Sequence, residues 1–265
     1  MKEKYHDLIN ILEPFIVCSP NTVLKNDTNF FGKKIGPEMR FNPLSLRSQN
    51  FIEKLYLMDQ ITFGGQGMGM DKWVFFDCAA MPGIVYGYAI KTDLLNDKDR
   101  KLLNVGKGEY FPVSMYIAIP TLEPDTWFGH NLSSLNKKIS FPLSGLGLLT
   151  KVSAMNYCGI NNQMGATQWD SQALGIHLKI SELELLSAYT PIHSKVNTLC
   201  YRAQSRNCEE VLNEVVGERS YTKIIKAELA ELCQLQEKIE LGSKIFLVKL
   251  ERKDGVENYF IRENN

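Results

Sequence analysis

The chain has no net charge: across its 265 residues, 30 lysines and arginines are matched by 30 aspartates and glutamates. Without an excess of either sign, no global field recruits nucleic acid or an anionic membrane, and a broad polyanion-binding role is excluded. Nor is there an apolar run near the ~20 residues needed to cross a bilayer, so no membrane span is expected. The opening Met-Lys-Glu-Lys-Tyr-His lacks the apolar core of a signal peptide. The six cysteines, at 18, 78, 158, 200, 208 and 233, never form C-x-x-C, which points to a reduced, cytoplasmic setting. Four scattered histidines give no metal cluster, and neither H-E-x-x-H nor G-x-S-x-G occurs, which removes metalloenzyme and hydrolase readings. A thiol enzyme pairing Cys78, Cys158 or Cys200 with His130, His177 or His193 is formally available, but a free cysteine is usually a small buried hydrophobe.

What is present is enough for a core: 44% of the residues are hydrophobic, suiting one large domain or one domain with an appendage. The most informative stretch runs from Tyr110 to Ala203. Tyr110 to Pro120 reads as an extended strand. Pro142-Leu-Ser-Gly-Leu-Gly147 reads as a turn, and apolar residues at Leu148, Leu149, Val152 and Met155 predict a helix after it. Gly145 and Gly147 permit positive φ and close backbone approach, and a helix start leaves its first amides without internal partners. Such amides, aided by the helix dipole, attract anions without help from any side chain. The turn is not a dinucleotide fingerprint, because Thr150 stands at the third glycine, and it lacks the Gly-Lys-Ser/Thr ending of a triphosphate loop.

The turn and the order of elements around it resemble the GNAT acyltransferase superfamily, whose Q/R-x-x-G-x-G/A signature opens a helix after the central strand. Pro142 stands at the first position of that signature. The likeness covers about 130 residues, Trp73 to Ala203, mostly as element order. Lys72–Ala80 and Gly83–Ile90 read as two strands joined by Met81-Pro82-Gly83. Met164–Trp169 reads as the fifth strand, Ser171–Lys179 as the last core helix, and Leu183–His193 with Thr198–Ala203 as a closing hairpin. The resemblance implies an α/β (α+β) fold: a mixed, mostly antiparallel central sheet flanked by helices, with a C-terminal helix and β-hairpin extension.

It also implies an enzyme that moves an acetyl or other acyl group directly from a CoA thioester to an acceptor amine. Acetyl-CoA or another acyl-CoA would be co-substrate, and a small-molecule amine or protein lysine the acceptor. Amides of Ser144, Gly145, Leu146, Gly147 and Leu148 would hold the pyrophosphate. The strand edges at Tyr116, Ile117, Ala118 and Ile119, and at Ala166–Gln168, would pair with the pantetheine, and an amide near Ile119 would face the oxyanion. The family's N-x-x-A-x-x-x-Y, aligned on Ala173, puts Asp170 at the asparagine, His177 at the tyrosine and Ser181 at the following glycine, so three of four positions depart. His177 would serve as general acid, since imidazole titrates near neutrality. Asp77, Glu109 and His130 are the candidate bases. The departures also suit a non-catalytic GNAT-like binding protein. A longer acyl chain or an acyl carrier protein is the third alternative, with the insertion Thr121–Phe141, a loop bearing Trp127-Phe-Gly-His-Asn131, supplying room.

The expected division is an N-terminal extension over 1–46, an acyl-CoA-binding core over 47–205 and an extension over 206–265. The first contains a helix from Glu3 to Leu12, stopped by Pro14, and then loops. Ser48–Phe63 has helical spacing that stops at Gly64-Gly65, and Gly64-Gly-Gln-Gly-Met-Gly-Met70 suits a lid, a hinge or a plain connector. Further helices are read over Glu209–Val216 and Tyr221–Glu240, the latter with an apolar stripe that packs internally or supports a homodimer. Phe246–Leu250 and Val256–Ile261, joined through Asp254-Gly255, read as a hairpin.

Overall fold

A computed structural model describes residues 3–22, 25–26, 32–80, 82–192, 195–215 and 217–264. Met81 of the expected turn and His193, a candidate thiol-enzyme partner, lie outside the described residues. The protein is a mixed α/β fold with mostly antiparallel pairing and flanking helices, as the sequence implied. It divides into two compact units, residues 1–124 with 129–160, and residues 125–128 with 161–265. No helix among the described residues is long and apolar enough to cross a membrane, and none of the six cysteines is in a disulfide.

The first unit begins with α1 (Glu3–Ile11) and β1 (Glu13–Cys18). Where loops were expected, Phe15, Ile16 and Val17 are buried, and β1 pairs along its length with β3 (Ile84–Lys91), from Glu13↔Ala89 to Cys18↔Ile84. A two-residue strand, β2 (Arg40–Phe41), lies parallel to its other side. Then come α2 (Gln49–Phe63), α3 (Lys72–Ala80), α4 (Asp97–Leu102), β4 (Tyr110–Pro120), β5 (Thr126–Ser134, of which the residues from Gly129 on belong to this unit) and α5 (Leu146–Cys158). The strand order is β2-β1-β3-β4-β5. Phe51 of α2 fixes this helix to the N-terminal segment, stacking on Phe41 at 3.9 Å and meeting Phe15 edge-on at 4.8 Å.

Two expectations are corrected here. Lys72–Ala80 is helix, not strand: Phe75, Cys78 and Ala79, spaced three and one apart, are buried, while Trp73, Phe76 and Asp77 stay exposed. That is the burial pattern of one helical face, which the run of aromatic and β-branched residues concealed. The insertion Thr121–Phe141 is not a loop throughout, because it contains β5.

The helix α5 is buried on nearly every side, and its polar residues face inward. Thr150 meets Ser114 of β4 through their hydroxyls at 2.6 Å, and Ser153 meets the Tyr88 hydroxyl of β3 at 2.8 Å. Thr150 also donates to the Leu146 carbonyl at 2.8 Å, so each of these hydroxyls is satisfied within the core. Lys151, only 1% exposed, lays its ammonium over the Tyr116 ring, 5.5 Å from the centroid.

The second unit contains β6 (Asn162–Gln168), α6 (Gln172–Ile180), β7 (Leu183–Ser187), β8 (Thr198–Gln204), α7 (Cys208–Leu212), β9 (Lys223–Ile225), α8 (Leu229–Glu240), β10 (Lys244–Lys253) and β11 (Val256–Asn264), with strand order β6-β8-β7-β10-β11-β9. The expected hairpins β7–β8 and β10–β11 are antiparallel. The helix expected from Tyr221 starts later: Lys223–Ile225 pairs with β11, and a capping box of Glu228 and Glu231 opens α8. The core centres on Trp169, whose indole N–H donates to the Ala188 carbonyl at 2.8 Å and whose ring meets Tyr259 at right angles, 5.1 Å between centroids.

Burial lowers the Lys151 ammonium from an ordinary value of 10.5 to about 7. The unfolded chain therefore holds this proton more tightly than the native one, and the cost to stability is full below about pH 7 and fades as pH rises toward 10.5. Replacing Lys151 with Met should raise the melting temperature near pH 7 by several degrees and flatten the rise in stability between pH 7 and 10. A variant with the wild-type pH slope would show that this amine is not the source.

Candidate functional site

The turn ahead of α5 has the backbone geometry of an anion cradle. Gly145 takes φ +87°, ψ −4°, a left-handed conformation that suits glycine, and serves as the N-cap with no side-chain cap. The Leu146 amide donates to the Leu143 carbonyl at 3.1 Å, and the Leu149 amide to the Gly145 carbonyl at 3.1 Å. Between them, the amides of Gly147 and Leu148 make no hydrogen bond to any described residue. Ser144 is exposed at the same turn. The helix starts at Leu146, two residues before the position read from apolar spacing.

One neighbour of this turn was invisible in the sequence. A Cβ placed on Gly145 would lie 3.0 Å from the Tyr5 ring and 3.5 Å from the Cε of Lys4, both on α1. Tyr5 is buried, and the Lys4 ammonium sits over its ring at 4.8 Å. The turn is thus flanked by a lysine from more than a hundred residues earlier, and no local pattern in the chain could have announced that pairing.

The candidate ionisable residues are dispersed. Asp77 is exposed on α3, a helix and not the expected strand. Glu109, just before β4, pairs with Lys54 of α2 at 2.7 Å and accepts from the Gly106 amide at 3.2 Å. The Lys54 hydrogen bond and charge hold its carboxyl below the usual range, which makes it a weak base at neutral pH. His130 is exposed on β5. His177 belongs to the second unit, 8% exposed on α6, with its ring 5.2 Å from that of Tyr201. Asp170 accepts from the Asn197 side chain at 3.1 Å, and the Ser181 amide closes α6 on the His177 carbonyl. The turn, Asp77, Glu109 and His130 therefore share the first unit, and His177 does not.

The β4 edge expected to take pantetheine is not open. Tyr116, Ile117 and Ala118 are buried, β3 pairs with them on one side, and β5 is the next strand on the other. The Leu135 amide, just past β5, donates to the Val113 carbonyl of β4 at 2.8 Å. Gly129 of β5 lies so near Tyr116 that a Cβ there would stand 2.6 Å from the tyrosine hydroxyl. The chain's own strand thus occupies the expected docking edge.

Sequence reasoning also missed Asp59, a fully buried carboxylate on α2. It accepts from the Met70 amide at 2.6 Å and from Asn131 of β5 at 3.4 Å, and burial lifts its pKa from 3.8 to about 6. In the second unit a groove of about 770 Å³ is lined by residues including Arg206, Arg219, Glu184, Glu218 and Phe246. Two of its arginines have structural tasks. Arg219 donates to the carbonyls of Leu178 at 2.9 Å and Val248 at 2.7 Å, the second being exposed by a bulge in β10, and Arg206 donates to the Val215 carbonyl.

No family model matches the sequence, and no curated protein matches it. Among solved structures, the chain is similar to the ribosomal-protein-S18-alanine N-acetyltransferase from Escherichia coli, with 10% identity and a TM-score of 0.41 over 66% of this chain and 95% of that one.

Gly145→Ala should destabilise the first unit by about 1–2 kcal/mol, the cost of a left-handed L-residue, with the Tyr5 contact adding to it. Thermal melting checks this, and an unchanged melting temperature would mean that the turn has another conformation.

Proposed function

We propose that the turn Ser144–Leu148 binds the pyrophosphate of a CoA thioester and that the protein is an acyltransferase of the GNAT type acting on an amine. The observation that carries this reading is the left-handed Gly145 opening a 13-residue helix with two uncommitted amides, Gly147 and Leu148, beside Lys4. The ammonium adds a charge to a site that main-chain dipoles alone would make neutral.

In the transfer, the acceptor nitrogen attacks the thioester carbonyl, a tetrahedral oxyanion forms, and the carbon–sulfur bond breaks. The nitrogen loses a proton and the departing thiolate gains one. Holding amine and thioester together supplies much of the rate even with a weak base. His130 is the candidate acceptor of the amine proton, being an exposed imidazole in the unit that holds the turn. Glu109 suits that role less, tied as it is to Lys54.

The strand β5 beside β4 favours a second reading, a CoA-binding protein that does not turn over, because the chain itself fills the edge the pantetheine would use. Calorimetry with acetyl-CoA, longer acyl-CoAs and free CoA separates the readings. Binding near micromolar affinity, weakened at least tenfold in Lys4→Glu and Ser144→Glu, supports the cradle. Acyl transfer to an amine panel then supports the enzyme, and binding without transfer supports the second reading. Folded wild-type protein that binds none of these compounds would sink both.

A further inference from the structure

The groove of the second unit lies on the face of the sheet that the hydrophobic core does not use, and every residue lining it belongs to this unit. Leu183, Leu185, Tyr201 and Leu247 are buried in the core, so the residues that alternate with them point away from it. The strand register sets three of these outward residues in a row: Glu184 of β7 stands opposite Arg202 of β8 on one side and Phe246 of β10 on the other. Arg262 of β11 follows in the same row, its guanidinium 4.8 Å from the Phe246 ring centre and 2.7 Å from Glu182. Asn162 of β6 and Gln204 of β8, also paired in register, continue the floor.

Charge in this groove is balanced, and not all of it is spent. With Glu182 given to Arg262, the lining sets the guanidiniums of Arg202, Arg206 and Arg219 against the carboxylates of Glu184, Glu210 and Glu218. The structural tasks of Arg206 and Arg219 use one terminal nitrogen each. Both bonds of Arg219 leave from Nη1, so its Nε–H and Nη2–H donors, the side-on fork that fits a carboxylate, are uncommitted. Arg206 uses only Nη2, on the Val215 carbonyl and on Glu210 at 3.5 Å. The two guanidiniums feel each other: burial lowers the pKa of Arg219, Glu182 raises it and Arg206 lowers it again. Glu184 is half-buried, and its carboxylate makes no hydrogen bond or ion pair with a described residue. The side-chain amides of Asn162 and Gln204 make none either.

We propose that this groove binds a short peptide with free ends, its ammonium on Glu184, its carboxylate on the Arg219 fork, its peptide groups on Asn162 and Gln204, and an apolar side chain on Phe246. A polyanion or a polycation would meet as many like charges here as opposite ones, and like-charge contacts reject a partner. A ligand that is neutral overall, with its two charges separated, meets opposite charges alone. The groove volume, about 770 Å³, is within the ~300–1,000 Å³ of small-molecule sites and exceeds what a single amino acid fills. The Leu178 and Val248 carbonyls hold Arg219 in place before any ligand arrives, so binding does not have to order it.

Calorimetric titration of the full-length protein with L-leucyl-L-phenylalanine tests the proposal, beside the N-acetylated dipeptide, the dipeptide C-terminal amide and inorganic phosphate. The free dipeptide should bind at least about tenfold more tightly than either capped form or phosphate. Glu184→Gln should weaken the free dipeptide by a similar factor and erase its advantage over the N-acetylated form, because the group that reads the ammonium is gone. Arg219→Lys, which keeps the charge and loses the fork, should erase the advantage over the C-terminal amide. Arg219 also ties α6 to β10, so should that variant not fold, Glu184→Gln and the capped peptides decide. No binding of the free dipeptide to folded wild-type protein, equal binding of free and capped forms, phosphate as tight as the dipeptide, or an unchanged Glu184→Gln would overturn the proposal. The titration contains no coenzyme, and its result is independent of the CoA reading.

Discussion

The fold of the first unit depends on where α5 sits on β3 and β4, and two buried hydroxyl pairs decide that. Apolar side chains would let a helix slide or rotate on a sheet at modest cost, since burial is not directional. The Ser114–Thr150 and Tyr88–Ser153 bonds are directional, and a shift of one residue would break both, at about 0.5–1.5 kcal/mol each. Fixing α5 fixes its first turn. The left-handed Gly145 and the open amides of Gly147 and Leu148 therefore occupy a place set by the interior. Lys151 is the cost of the arrangement, a cation taken into the same packed layer.

What could be read from the residues follows from where each signal resides. The helix α2, most of α8 and the hairpin of β10 and β11 were legible because their apolar residues repeat at intervals that match their own geometry. The helix α3 misled because its composition is strand-like, and only burial reveals that Phe75, Cys78 and Ala79 share a face. The strand β1 was hidden by Pro14 and by the loops after it, and β5 by glycine, histidine and asparagine.

The candidate site divides in the same way. Gly145 was readable, since a left-handed turn into a helix asks for glycine and the chain supplies it. Lys4 and Tyr5 were not, because their contact with the turn spans the length of the unit. Asp59 resembled one more polar residue on an amphipathic helix, and its bond to the Met70 amide becomes visible only when the chain returns there. Thr150, Lys151 and Ser153 carried no sequence signal of importance, because polar residues on a helix normally face water.

One outermost strand of each unit is its shortest described strand, two residues in β2 and three in β9. A long bare strand offers a ladder of unpaired amides and carbonyls on which another chain can add, and growth of that kind ends in fibres. Strands this brief provide too few rungs for an incoming chain to hold. Copies of this protein that meet at these two edges would have to recognise each other through side chains, where charge and shape can discriminate, and not through the backbone, which every protein has in common.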